Sequence, residues 1–249
     1  MLIHIVTAAN RQLYGSQLEQ MHRLRWRIYI EERGWRALRE KQPEAGYERD
    51  EYDDERAHYL LAIDDAGAVL GAMRMRPADD RSLLADHFAH LLESKTPPLF
   101  GPDVWELTRL LRAPLNRSRD GAVRYAMNCA LIEFCLSRGV SRLIATGDTF
   151  LLPMTRKAWG SKVRPLGLPQ PYDEGEVIAL ELFPDADALA AMRAAGAVLG
   201  EQLYDHPSPL RARDPDPIVA ARLAAAARGD LREARERSGL GLPSSAEAA

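Results

Sequence analysis

The chain has 249 residues, a formal net charge of −3, 46% hydrophobic and 28% charged residues, and only two cysteines. That composition excludes collagen-like, disordered and disulfide-scaffold classes, and the length suits one large domain or a domain with an appendage. No apolar run reaches the roughly eighteen residues a membrane span needs, and the first residues lack a signal peptide's basic region, so a cytoplasmic protein without membrane insertion is expected.

Leu2 to Thr7 is a short β-branched run that predicts a first strand. From Asn10 to Arg33 apolar residues fall at Leu13, Leu18, Met21, Leu24, Ile28 and Tyr29, a helical stripe ending at Gly34. Arg36 to Arg56 is charged and aperiodic and reads as a long loop, of the kind that is often functional. His58–Asp64 and Ala68–Met75 flank Asp65-Ala-Gly67, a hairpin signal. A helix follows over Ser82–Glu93, a strand over Asp103–Arg112 and a helix over Asp120–Arg138 that stops at Gly139. The strand Ser141–Thr146, the helix Leu152–Trp159 and the strand Glu176–Phe183 complete the pattern. The expected fold is mixed α/β: a largely antiparallel central sheet flanked by helices, with one central crossover. Beyond Pro184 the chain turns alanine-rich, with helices over Asp185–Leu199 and Pro217–Ser238 and a disordered end from Leu240 to Ala249. The expected division is a catalytic domain over 1–183 and a helical extension over 184–249.

The basic residues are 29 arginines against 4 lysines. Arginine suits phosphate and nucleic acid, but 36 acids outnumber the bases and no long basic block appears, so no nucleic-acid partner is expected. Cys129 and Cys135 lie in one helical stretch without a second pair, and the histidines lack ligand spacing, so no metal is expected.

Four segments carry chemistry. They are Leu24–Tyr29 with Gly34-Trp35, Asp50 with Asp53, Gly71-Ala-Met-Arg74, and Val104-Trp-Glu106-Leu-Thr-Arg109. Taken singly, their charges read as a structural ion-pair network or as solvated faces. Taken together, two acids and Arg25, Arg74 and Arg109 on different elements would be expensive to gather without a purpose. Glu106 and Arg109 have opposite parity along their strand, so sharing one face requires a bulge or a sharp bend.

In this combination and order the segments resemble the LuxI-type acyl-homoserine-lactone synthases over residues 1 to about 183. The resemblance implies a fold like that of the GNAT acetyltransferases and the synthesis of a quorum-sensing signal. The implied substrates are S-adenosylmethionine and an acyl thioester of acyl carrier protein or coenzyme A, with methylthioadenosine released and no cofactor. It makes Glu106 the general base, with Arg109 beside it in catalysis. It assigns Arg25, Tyr29 and Trp35 to the S-adenosylmethionine site, and Asp50, Asp53, Arg74 and Arg109 to a charged cluster holding the N-terminal segment. An acyl pocket is expected from Phe88, Trp105, Thr108, Thr149, Phe150 and Leu152. Tyr29 replaces the family's usual phenylalanine, so its hydroxyl needs a partner. Several further pieces, Pro165-Leu-Gly-Leu-Pro169 among them, are similar to a rhizobial subgroup, some of whose members take branched or aryl groups from coenzyme A. The alternatives are a generic GNAT acyltransferase and a non-catalytic binding relative. The first would carry a glycine-rich pyrophosphate turn, and Asn116-Arg-Ser-Arg-Asp-Gly-Ala122 lacks its spacing.

Overall fold

A computed structural model describes residues 1–173 and 175–205 of the chain. Their strands are β1 (Leu2–Val6), β2 (His58–Ile63), β3 (Val69–Pro77), β4 (Val104–Arg112), β5 (Arg142–Asp148), β6 (Val163–Pro165), β7 (Gln170–Tyr172), β8 (Gly175–Leu182) and β9 (Leu203–Asp205). They form one sheet in the order β6-β8-β5-β4-β3-β2-β1-β9, with β7 added beside β8. Neighbours run antiparallel except β4 with β5 and β1 with β9. This is the mixed, largely antiparallel sheet expected from the element order.

Helices cover both faces. On one, α1 (Gly15–Arg25) and the segment after it pack Met21, Trp26, Ile28 and Tyr29 against Val6, Leu61, Ala72 and Leu111. On the other, α4 (Arg117–Arg138) packs Val123, Met127, Ile132 and Phe134 against Ile3, Leu60, Met73 and Leu107. Asn116 caps the start of α4 by accepting from the Arg119 amide, and Gly139 ends it in the left-handed conformation at φ 66°.

Several elements differ from expectation. The stripe over Asn10–Arg33 is three pieces, a 3-10 turn (Arg11–Tyr14), α1, and a π-helical stretch (Trp26–Glu32). Inside the expected loop, Arg36–Glu40 forms the short α2. The helix expected over Ser82–Glu93 is shorter: Ser82 caps α3 (Leu83–His87), and Phe88 leaves helical geometry before a 3-10 turn (Ala89–Leu91). The domain boundary expected at residue 183 is corrected. Asp185 caps α6 (Ala186–Gly196), whose Ala188 and Met192 are buried in the core shared with α4. The chain then returns to the sheet as β9 beside β1, and the buried Glu133 of α4 accepts from the Gln202 and Leu203 amides. A boundary at 183 would expose that face, and the compact unit accordingly extends through these residues. The helix expected over Pro217–Ser238 and the disordered end lie outside the described residues.

A register defect in the middle of the sheet shapes the site. Ala72 pairs with Leu111 but Arg74 pairs with Thr108, so Arg109 and Leu110 together oppose Met73. Two residues against one is a β-bulge, and Arg109 takes φ 53° to make it, a conformation uncommon outside glycine. This is the bend that opposite parity demanded. Past Leu107 and Ala145 the parallel pairing of β4 and β5 stops, while each strand continues for several residues.

Candidate active site

Where β4 and β5 part, a cavity of about 400 Å³ runs between the two faces of the sheet. Its deep end is apolar, built from Leu107, Ala145, Leu180 and Leu182 of the sheet with Leu152 and Trp159 of α5 (Leu152–Trp159). Trp159 is fixed there by a 3.0 Å bond from its indole nitrogen to Asn128 Oδ1 of α4. At the other end stand Tyr29, Arg33, Trp35, Arg109, Asp148 and Phe150. The π-helical stretch delivers Tyr29 to this wall, and such stretches are frequent at functional sites. The Tyr29 and Trp35 rings stack at 4.9 Å. The Tyr29 hydroxyl has the partner it needs: it donates to the Leu110 carbonyl in the bulge at 3.1 Å.

Beside this end lies a closed ring of alternating charge. Arg25 makes a two-pronged pair with Asp53 at 2.8 and 2.9 Å, and its Nε donates to Glu48. Glu48 in turn accepts from Arg109 at 3.0 Å, and Arg109 reaches Asp50 at 2.7 Å. Asp50 pairs with Arg74, and Arg74 closes the circle on Asp53 at 3.0 Å. Three guanidiniums thus meet three carboxylates, drawn from α1, β3, β4 and the 48–53 loop. Arg25 and Glu48 are fully buried, and Arg74 is 1% exposed. Burial opposes every one of these charges, but the guanidiniums outweigh it. They hold Glu48 and Asp53 below the ordinary carboxylate range and bring Asp50 to about 2. Tyr59 also donates to Asp53, at 2.9 Å.

Most of the expected charged cluster is thereby in one place: Asp50, Asp53, Arg74 and Arg109. Arg25 belongs to this ring as well. It is wholly buried and absent from the cavity wall, where the expectation had put it with Tyr29 and Trp35. Glu48 was missed. It lies at the edge of the acidic tract 47–55, and its burial follows only from arginines on other elements. The available signal was arithmetic, since three arginines and two acids leave one positive charge without a match.

Glu106 shares the sheet face of Thr108 and Arg109 but stands behind the cavity wall. Its two carboxylate oxygens accept from the Leu83 and Leu84 amides at 2.8 and 2.7 Å, at the start of α3. Burial raises its pKa, and these two amides oppose the rise. Thr108 lines the cavity and accepts from Arg74 Nε at 3.0 Å. Of the expected acyl-pocket residues, Thr108, Phe150 and Leu152 line the cavity. Trp105, Phe88 and Thr149 do not. Trp105 alternates to the α4 side of the sheet, edge-on to Phe134 and His58. Phe88 packs on Tyr172 beneath the 3-10 turn. Thr149 starts a 3-10 turn that sends Phe150 and Leu151 to the cavity in its stead. Burial pushes both cysteine thiols up, Cys129 to about 12, so neither is a ready nucleophile. Among the described residues there is no cluster fit to hold a metal ion, and no helix long and apolar enough to cross a membrane.

Residues 9–192 match the sequence model described as autoinducer synthase. The isovaleryl-homoserine lactone synthase of Bradyrhizobium diazoefficiens is 40% identical over 168 residues, covering 68% of this chain and 73% of that protein. An acyl-homoserine-lactone synthase of Ralstonia solanacearum is 31% identical over 173 residues, 68% of this chain and 82% of that protein. Among solved structures, BjaI, a CoA-dependent acyl-homoserine lactone synthase with SAM and isopentyl-CoA, superposes with a TM-score of 0.73 at 31% identity. The match covers 89% of this chain and 99% of BjaI.

Proposed function

The chain belongs to the autoinducer synthase family, and on that footing we propose that it makes an acyl-homoserine lactone from S-adenosylmethionine and a short acyl-CoA. The observation that carries this reading is the cavity with two unlike ends. Stacked aromatic rings and charged groups suit the sulfonium substrate, and an apolar recess closed by Trp159 suits a short acyl chain. The choice of coenzyme A over acyl carrier protein follows the isopentyl-CoA bound in BjaI, with which an isovaleryl product in the sequence comparison agrees.

In the first step the neutral α-amine attacks the thioester carbonyl, and the thiolate of coenzyme A leaves as the amide forms. The amine must first lose a proton, which Glu106, set behind the cavity wall, accepts through a bridging water. Burial favours this by making its carboxylate a stronger base than an exposed one. Backbone amides where β4 bends at Arg109 stabilise the oxyanion. In the second step the substrate carboxylate attacks its own γ-carbon. The carbon–sulfur bond breaks, its electron pair stays on sulfur, and methylthioadenosine leaves as the lactone closes. The charge ring holds Arg109 in its bulged conformation beside the reacting groups.

Mass spectrometry of extracts from a lactone-free host expressing the chain tests the reading. An acyl-homoserine lactone is expected, and its loss in Glu106→Ala with the fold retained. Absence of any such lactone across varied acyl supplies would contradict the function. Undiminished turnover in Glu106→Ala would remove the general base.

A further inference from the structure

At the polar end of the cavity the protein holds a cation of its own in a three-walled aromatic cage. The Arg33 guanidinium lies 5.1 Å from the centre of the Tyr29 ring, 5.7 Å from that of Trp35 and 5.3 Å from that of Phe150. Its Nη1 is 2.5 Å from Oδ2 of Asp148, the last residue of β5, past the end of its pairing with β4. The pair spans the cavity mouth, from the segment after the π-helical stretch on one side to β5 on the other. All five residues line the cavity. Asp148 keeps only 10% of its side chain exposed, whereas Phe150 is 65% exposed.

A carboxylate facing three π-faces is a binding site for a positive charge, because both components favour a cation and neither favours a neutral group. Arg33 hangs on a flexible stem with 22% of its side chain in solvent, so it can leave the cage into water. We propose that Arg33 is a resident stand-in for the substrate's positive charge. On binding, the S-adenosylmethionine cation takes its place among Tyr29, Trp35 and Phe150, with Asp148 as the counter-ion. This rests on the functional reading above and assigns roles to Arg33, Asp148 and Phe150 within it. It has two consequences. The free enzyme's cavity mouth is latched, and the cationic substrate opens it more readily than the neutral product methylthioadenosine does. Selectivity for the charged sulfonium over the neutral thioether therefore resides in Asp148, and product release is helped as Arg33 returns.

Isothermal titration of the full chain with S-adenosylmethionine and with methylthioadenosine tests this, the second ligand sharing the adenosine but lacking the charge. Asp148→Asn should lower the preference for S-adenosylmethionine over methylthioadenosine by about tenfold, because the neutral ligand gains from the loosened latch while the cation also loses its counter-ion. Asp148→Glu, which keeps the charge, should recover most of the loss. Arg33→Gln removes the competitor and should leave S-adenosylmethionine binding equal or tighter. Parallel losses for both ligands in Asp148→Asn and Arg33→Gln would make the pair a mere structural latch and overturn the proposal. So would a selective loss of S-adenosylmethionine in Arg33→Gln, since Arg33 would then itself hold the substrate. Should Asp148→Asn fail to fold, the Arg33→Gln titration alone still decides between these outcomes. If the wild-type chain binds neither ligand, the functional reading falls and the proposal falls with it.

Discussion

Replacing Glu48 by alanine opens the charge ring at one point. Arg25 then keeps its two-pronged pair with Asp53, and Arg109 keeps Asp50, so each guanidinium loses one partner of two. Removing one member of a buried ion pair costs about 3–5 kcal/mol, because the remaining charge is left poorly compensated out of water. With a partner retained on both sides the loss should sit at the lower bound, about 3 kcal/mol. Glu48 is fully buried, so solvent screening does not reduce this figure. For a folded unit of this size each kcal/mol moves Tm by roughly 2–4 °C, which gives a fall of about 6–12 °C. Thermal and urea unfolding followed by far-ultraviolet circular dichroism would measure it. The control is Glu19→Ala, which removes an exposed pair with Arg23 on α1 and should cost no more than about 0.5 kcal/mol. If Glu48→Ala unfolds no earlier than that control, the ring is not an energetic unit and the reasoning fails.

Acid should destabilise the protein in two windows. Burial and the neighbouring Arg25 push the His22 pKa from 6.5 to about 4, so stability complete above 6.5 is lost as pH falls toward 4. Asp50, held at about 2, adds a second loss between pH 3.8 and 2. Urea midpoints measured across pH 7 to 4 should show the upper slope in the wild type and a flatter one in His22→Gln; equal slopes would remove His22 from the account. Tyr29→Phe deletes the donor to the Leu110 carbonyl and should cost about 1 kcal/mol in urea unfolding. An unchanged midpoint would mean that this bond does not brace the bulge. Trp159→Leu should deepen the recess and shift relative kcat/KM toward acyl-CoA chains one or two methylenes longer, by about 1–3 kcal/mol per methylene. A preference left unchanged would place the length limit elsewhere.

The sheet and the reactive strand were legible in the sequence because their signals are local. The Asp65-Ala-Gly67 turn needs one positive φ, which Gly67 supplies at 83°, and Gly139 does the same for the end of α4. The bulge was legible through parity alone: Glu106 and Arg109 could share a face only if β4 gained a residue. What escaped was tertiary. Glu48 lies in a tract whose composition suits solvent, and only Arg25 and Arg109, from α1 and β4, make its burial tolerable. Trp105, Phe88 and Thr149 lie close in sequence to residues that do line the cavity. Strand alternation, a broken helix and a 3-10 turn point each of them away from the cavity. The boundary after residue 183 went astray because α6 buries only Ala188 and Met192, too narrow a stripe to stand out in an alanine-rich stretch.

The most direct test of the central claim is reconstitution. Purified full-length chain is mixed with S-adenosylmethionine and a short branched acyl-CoA, and lactone, methylthioadenosine and free coenzyme A are quantified together. All three are expected in equal amounts, rising in step. Free coenzyme A and an acylated product without methylthioadenosine would contradict it and leave a plain acyltransferase.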